Sequence, residues 1–148
     1  LETERPGPTV GFSACLPSSI FADMKSAALV LRDFVYCMTN NENNFNTTTG
    51  VFTAPLDGLY VACLSLECQD KLNCYFIIKK QPCLLQSHSN KCNQCSIAEI
   101  SKSEDTNSAC VFRSVKMKAG EKLSVICGND VAEISCYLKV MFACFKID

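Results

Sequence analysis

Brief apolar stretches separated by turn-forming residues make up the chain from position 10 onward. The separating segments, such as 40–46, 55–58 and 101–108, are rich in Asn, Gly, Pro, Ser and Asp, which favour turns. Many short strands between turn signals are typical of a β-sandwich or barrel. The segment 20–31 also contains several helix-forming residues, so a short helical turn there is an alternative. The pattern predicts at least nine strands, at 10–15, 29–38, 50–53, 59–67, 74–80, 95–100, 109–117, 122–128 and 134–146.

Two of these strands are apolar on both faces. An antiparallel strand with one face in water alternates apolar with polar residues, so this pattern predicts that a second surface is also covered. A subunit interface would cover it, and loops next to disulfides at Cys63 and Cys144 are the alternative. In the first strand, one face carries Tyr60, Ala62, Leu64 and Leu66 and the other face carries Leu59, Val61 and Cys63. In the second strand, one face carries Leu138, Val140, Phe142 and Cys144 and the other face carries Tyr137, Met141, Ala143 and Phe145.

Length and charge narrow the class of protein. A chain of 148 residues with 48% hydrophobic and 20% charged residues has the size and composition of one folded domain. Residues 1–8, with two prolines and a glycine, predict a linker or the end of an upstream stalk, and 9–148 the globular domain. A net charge of -1 lacks the basic excess of a nucleic-acid-binding protein. No apolar stretch reaches the roughly 18 residues of a membrane span, so no membrane insertion is expected.

Cysteine content indicates the compartment. Twelve cysteines in 148 residues far exceed the usage of a reduced cytosolic protein and predict a secreted protein with disulfides, whose pairing the spacing does not fix. Asn46-Thr47-Thr48 is an acceptor triplet for N-glycosylation. The disulfide candidates are Cys15, Cys37, Cys63, Cys68, Cys74, Cys83, Cys92, Cys95, Cys110, Cys127, Cys136 and Cys144.

Aromatic, Asn and Gly residues recur at fixed intervals through the centre of the chain, at Phe34, Asn40, Phe45, Phe52, Gly58 and Tyr60. This spacing, with the text TGVFTAPLDGLY at 49–60, resembles the signature of the globular C1q domain, of the complement C1q and tumour necrosis factor type. VGFSA at 10–14 and MKAGEKL at 117–123 resemble its opening strand and the loop before its penultimate strand. The chain departs from the family pattern at Ala62, at Leu64 and in 135–140.

The resemblance implies an all-β fold, a ten-stranded jelly-roll sandwich that assembles as a homotrimer through apolar strand faces. Gly58 is expected to supply a turn conformation that a residue with a side chain adopts only at a cost. Candidates for the trimer interface or the core are Phe52, Tyr60, Met141 and Phe145.

Catalytic and metal-binding chemistry have few residues to draw on. His88 is the only histidine, so a Cys-His pair would depend on it, and no enzyme is predicted. Cys83, His88, Cys92 and Cys95 could supply four zinc ligands, but thiols in an oxidising compartment favour disulfides. Some members of the family hold calcium, which leaves a calcium site open near Asp130. No other cofactor is expected.

The predicted function is multivalent recognition, in which three weak sites displayed together gain avidity for a repetitive target. Microbial surfaces, glycans and cell-surface receptors are the targets that the resemblance suggests, with a place in innate immunity. Two alternatives stay open: a structural protein forming disulfide-linked multimers in the extracellular matrix, and a cytokine-like receptor ligand. Because loops on a rigid sandwich carry binding, ligand contacts are expected at Lys91, Asn93, Gln94, Lys102, Glu104 and Asp105.

Overall fold

Strands dominate the part of the chain that the computed structural model describes, which is residues 10–16, 30–41, 43–67, 74–82, 95–103, 105–127 and 139–148. No helix among these residues is long and apolar enough to cross a membrane. The strands are β1 Gly11–Leu16, β2 Val35–Asn41, β3 Phe45–Asn46, β4 Val51–Thr53, β5 Gly58–Glu67, β6 Cys74–Gln81, β7 Ser96–Lys102, β8 Ser108–Met117, β9 Lys122–Cys127 and β10 Lys139–Lys146.

The strands form two five-stranded antiparallel sheets that pack face to face. The first sheet has the order β2-β1-β10-β5-β8 and the second the order β3-β4-β9-β6-β7. Strands that are neighbours in space, such as β1 and β10, are distant in sequence, because the chain crosses repeatedly between the sheets. This is a jelly roll, and the predicted all-β jelly-roll fold is confirmed.

The second predicted strand, 29–38, is misplaced at its start, because β2 begins only at Val35. The residues before it lie against the second sheet instead. The N–H of Leu31 donates to the carbonyl oxygen of Val125 at 2.8 Å, and that of Phe34 to the carbonyl oxygen of Thr47 at 2.9 Å. These contacts use the backbone groups that a longer β2 would need.

β3 is absent from the predicted strands because the segment 40–46 is mostly Asn. Phe45 makes it a strand: its side chain is 2% exposed and its backbone pairs with Phe52 of β4. The predicted strand at 134–146 overlaps β10, and its residues 134–138 lie outside the described residues. Most of the segment 20–31 also lies outside the described residues, so the helical turn considered there is not tested.

An aromatic cluster fills the space between the sheets. Phe12 of β1 stacks on Phe45 with ring centroids 3.9 Å apart, and Phe142 of β10 meets Phe12 edge-on at 5.1 Å. Phe52 and Tyr60 are paired at 5.8 Å. Because the rings come from strands of both sheets and burying each Phe contributes about 1.5–3 kcal/mol, this cluster holds the sheets together.

Gly50 closes the turn between β3 and β4. Its φ of 74° lies in the left-handed region, and its N–H donates to the carbonyl oxygen of Asn46 at 2.8 Å. A Cβ at this position would lie 1.9 Å from the carbonyl oxygen of Leu31. Both the backbone conformation and the close approach therefore require glycine.

Gly58 is needed for a different reason from the one that the sequence predicts. Its φ is not in the left-handed region, so the predicted turn conformation is wrong. A Cβ there would instead lie 2.5 Å from Oδ1 of Asp148 and 2.6 Å from Cε of Lys146. The same Oδ1 accepts a hydrogen bond from the N–H of Leu59 at 2.9 Å. Gly58 thus makes room for the last residues of the described chain.

Candidate interaction face

Three rows of side chains on the first sheet point away from the core. Alternate residues of a strand share a face, and the pairing of β1, β10, β5 and β8 aligns these residues across the sheet. The twelve positions are termed the outer face. Its rows are Gly11–Phe145–Val61–Ser114, Ser13–Ala143–Cys63–Phe112 and Cys15–Met141–Ser65–Cys110.

The outer face is apolar or weakly polar at all twelve of these described positions and carries no charged side chain among them. Phe112 is 63% exposed and Phe145 36%, while Ala143, between larger neighbours, is 5% exposed. Charged residues begin one row further on, where Lys139 is paired with Glu67. A sheet face in contact with water is normally polar, so this composition indicates a face that another surface covers.

β5 and β10 have the two-sided character that the alternation predicts. The core-facing side chains of both strands are 0–2% exposed, and those of the outer face are mostly half-buried. Leu138 and Tyr137 lie outside the described residues. The core-facing residues are Tyr60, Ala62, Leu64, Leu66, Val140, Phe142 and Cys144.

The residues predicted for the interface or the core divide between the two places. Phe52 and Tyr60 are fully buried between the sheets. Met141 and Phe145 lie on the outer face. The ring of Phe145 covers Gly11, where a Cβ would lie 2.1 Å from the ring atom Cδ1. Gly11 is therefore part of the shape of the outer face, a role that only the strand pairing reveals.

Five of the described cysteines fall into two groups. Cys15 and Cys95 are disulfide-bonded. Cys63, Cys110 and Cys144 are free thiols, which differs from the disulfides expected at these three positions. Cys127 is buried. The disulfides expected at the remaining candidates stay predictions, because these side chains lie outside the described part: Cys37, Cys68, Cys74, Cys83, Cys92 and Cys136.

Strand pairing explains why Cys63 and Cys110 are close without being bonded. Cys63 is opposite Phe112 and Cys110 is opposite Ser65, so the two are diagonal neighbours, a spacing wider than a disulfide favours. Burial raises the pKa of Cys63, and the charge of Cys110 and the hydrogen bond with Cys110 raise it further, to about 11. Burial in the core raises the pKa of Cys144 to about 12. Cys63 and Cys144 are therefore protonated and weakly nucleophilic at neutral pH.

The structure corrects the assignment of Lys102 to the ligand-binding surface. Ala98, Ile100 and Lys102 share the core-facing side of β7, and Lys102 is only 1% exposed. Its Nζ donates to the carbonyl oxygen of Ser103 at 3.0 Å. Asp105 is exposed, as a ligand contact requires. The other predicted contacts lie outside the described residues: Lys91, Asn93, Gln94 and Glu104.

No group of three or more His, Cys, Asp and Glu side chains that could hold a metal ion occurs within the described ranges. The disulfide at Cys95 removes it as a thiolate ligand of the zinc site considered above. Calcium near Asp130 stays a prediction, because Asp130 lies outside the described part. Asn46, the glycosylation candidate, is exposed at the end of β3. The other zinc candidates also lie outside it: Cys83, His88 and Cys92.

Comparison with known proteins decides the family. The sequence model of the C1q domain matches residues 12–125, which is most of the chain. The chain belongs to the C1q domain family. The predicted family is confirmed, and no enzyme family is indicated. C1q and TNF-like domains are generally recognition or ligand modules that form trimers, and they are typically extracellular.

Solved structures share the fold at low sequence identity. The globular domain of zebrafish complement 1qA protein is 13% identical with a TM-score of 0.63, covering 95% of this chain and 98% of that one. Eiger TNF from S. frugiperda is 10% identical at 0.61, covering 95% and 94%. Murine APRIL at pH 5.0 is 9% identical at 0.59, covering 94% and 99%. A search of curated proteins finds no match.

Proposed function

We propose that this C1q domain is an extracellular recognition module that works as a homotrimer. The observation that carries the proposal is the outer face of the first sheet. Three copies joined through this face would display three equivalent sets of loops to one target. The domain would then bind repetitive targets, such as glycans or proteins on a microbial or cell surface, through avidity.

The energetic argument for association rests on the aromatic residues of the outer face. Full burial of a Phe side chain contributes about 1.5–3 kcal/mol, and 63% of Phe112 is still exposed in the single chain. Covering it contributes about 1–2 kcal/mol per subunit on this scale. Phe145, at 36% exposed, adds a smaller amount. No charge has to be desolvated at the twelve described positions, so the main cost that this gain has to offset is the translational and rotational freedom lost on association.

The size of the assembly is tested by light scattering on the full chain over a range of concentrations. The expected mass is three times the 16.3 kDa of one chain. Phe112→Glu would place three carboxylates in an apolar interface and is expected to give a single-chain mass, because buried unpaired charges are costly. Leu56→Glu is the matched control, since Leu56 is also exposed, at 46%, but lies in the turn before β5, away from the outer face. A single-chain mass for the unchanged protein, or a trimer of Phe112→Glu, contradicts the proposal.

The recognition mechanism is tested by comparing the trimer with the single-chain Phe112→Glu variant on fixed bacterial and yeast cells. Avidity raises apparent affinity by about 10²–10⁴-fold, so the trimer is expected to bind at far lower concentration. Circular dichroism of the variant establishes that it is folded. Equal binding by trimer and single chain would refute multivalent recognition even if the trimer itself exists.

A structural role is the second candidate, and Cys110 is the observation that favours it. Cys110 is an exposed free thiol on the outer face, where it could link subunits covalently. Two Cys110 thiols would lose two electrons and two protons to an extracellular oxidant and form one disulfide, which joins two chains. A dimer band on a denaturing non-reducing gel that disappears in Cys110→Ser would favour disulfide-linked assembly over recognition. A single band in both proteins removes this candidate.

A further inference from the structure

Asn46 lies on the exposed side of the second sheet. It begins the single Asn-x-Ser/Thr triplet of the sequence, Asn46-Thr47-Thr48. It is the last residue of β3, paired with Val51 of β4, and it is exposed. Since its neighbour Phe45 faces the core, strand alternation directs Asn46 to the outside of the second sheet.

The turn fixes the orientation of the Asn46 amide. Its Oδ1 accepts hydrogen bonds from the N–H of Thr48 at 3.0 Å and from that of Thr49 at 3.1 Å. Its backbone carbonyl oxygen accepts the N–H of Gly50. In a planar amide, Nδ2 and Oδ1 point in different directions. With Oδ1 held against the turn, Nδ2 is directed away from it.

A polar cavity of about 480 Å³ opens beside Asn46. It is a shallow depression, wide open to solvent, so it could contact only one side of a bound sugar. The described lining residues supply amides, hydroxyls, one ammonium and one apolar side chain, and no carboxylate is among them. Amides and hydroxyls donate and accept hydrogen bonds as sugar hydroxyl and acetamido groups do. Besides Asn46, the lining residues are Asn43, Asn44, Thr49, Val51, Thr53 and Lys122.

Asn44 adds a second indication. Its Nδ2 is buried and has no hydrogen-bond partner among the described residues, although buried amide donors are nearly always paired. A rotation of this side chain would present the donor to the cavity that it lines. A polar occupant of the cavity would satisfy it.

We propose that Nδ2 of Asn46 carries an N-linked glycan whose innermost N-acetylglucosamine lies in this cavity. A bond forms between Nδ2 and C1 of the sugar, the bond from C1 to the diphosphate of a lipid-linked oligosaccharide donor breaks, and Nδ2 loses one proton. The proposal rests on the proposed extracellular function, because this transfer takes place in the secretory pathway. The glycan leaves the outer face open, since β3 belongs to the second sheet and the core separates it from the first.

The modification is tested on the full chain secreted from cultured animal cells behind an added signal peptide, so the result does not depend on native secretion or on trimer formation. The peptide containing Asn46 is expected to carry a glycan, and peptide N-glycosidase is expected to convert this Asn to Asp. Asn46→Gln and Thr48→Ala should abolish the modification. Thr47→Ala, which changes only the middle of the triplet, should keep it. Folded, secreted protein without a glycan at Asn46 overturns the proposal.

The place of the first sugar is tested by trimming the glycan to one residue with an endoglycosidase. Thr53→Val removes a hydroxyl of the cavity lining, and it is made both in the trimmed protein and in Asn46→Gln. If the sugar lies in the cavity, Thr53→Val lowers the melting temperature more in the trimmed protein than in Asn46→Gln, because the two changes then share an interaction. Equal losses place the sugar in solvent and refute this part of the proposal.

Discussion

Gly50→Ala is expected to be among the most damaging small substitutions in the chain, and Gly120→Ala is its matched control. Both glycines have left-handed backbones, with φ of 74° and 91°. A left-handed conformation costs a residue with a Cβ roughly 1–2 kcal/mol. A Cβ at Gly120 would meet nothing within 4 Å, so Gly120→Ala should lower the free energy of unfolding by about this amount and no more.

At Gly50 a steric cost is added. The new Cβ would lie 1.9 Å from the carbonyl oxygen of Leu31 and 3.3 Å from Cε2 of Phe34. Leu31 cannot move freely, because its side chain is fully buried and its N–H is bonded to the carbonyl oxygen of Val125. Overpacking of this kind costs typically 1–3 kcal/mol, so Gly50→Ala should cost about 2–5 kcal/mol in total, out of a stability of about 5–15 kcal/mol for a typical domain.

The two variants are compared by urea unfolding, followed by circular dichroism because the chain has no Trp. All samples need the same protein concentration, since association shifts apparent stability. The loss of unfolded-chain entropy on replacing Gly by Ala is common to both variants and cancels in the difference. Equal destabilisation by the two substitutions, or a neutral Gly50→Ala, would refute the close contact with Leu31.

Three further changes test other contacts. Tyr60→Phe removes a hydroxyl that donates to a backbone carbonyl oxygen at 2.7 Å and should lower the free energy of unfolding in urea by about 0.5–1.5 kcal/mol; no change would mean that water serves that carbonyl equally well. In the single-chain Phe112→Glu variant, where the outer face is open to solvent, iodoacetamide should modify the exposed Cys110 first. Modification of Cys63 should accelerate as pH rises towards its pKa of about 11, because the thiolate reacts; mass mapping that finds Cys63 modified first contradicts its burial. Partial burial raises the pKa of Glu121, but a backbone N–H and the Lys80 ammonium outweigh this and leave the pKa below its ordinary 4.5. Such a carboxylate stabilises the fold above the unfolded-state pKa and loses this effect as pH falls through the folded-state value, so Glu121→Gln should flatten the acid side of the stability–pH curve, and an unchanged curve would rule out this contribution.

Much of the fold could be predicted from the sequence, because the alternation of side chains is a local property and the family resemblance implies the jelly-roll topology. Strand positions, the apolar second face of β5 and β10, and the family signature around 49–60 can all be read without knowing which strands pair. β3 could not be found in this way, since one buried residue, Phe45, makes it a strand within an Asn-rich segment. The start of β2 was missed because Leu31 is apolar for a different reason, its contact with the second sheet.

The outer face depends on strand pairing, and this is why the sequence yields only part of it. Met141 and Phe145 are apolar residues at the end of a strongly apolar strand and could be singled out. Cys110 and Phe112 become significant only when β8 is paired with β5. Lys102 was wrongly assigned to the solvent-facing surface. A charged residue beside a polar loop is expected to be exposed, whereas the alternation of side chains along β7 directs Lys102 towards the core.

The absence of charge from the outer face has a consequence for partner choice. Ionic strength has little to screen there, so association through this face should be almost insensitive to salt. A face without charges also has no like-charge repulsion with which to reject a related subunit. Discrimination between partner subunits then depends only on surface shape, that is, on how the large Phe112 and Phe145 side chains fit beside the small Ala143 and Gly11. If the chain assembles through this face as proposed, another C1q domain with the same surface shape would compete for it, and mixed assemblies are the expected result when two such chains are made together.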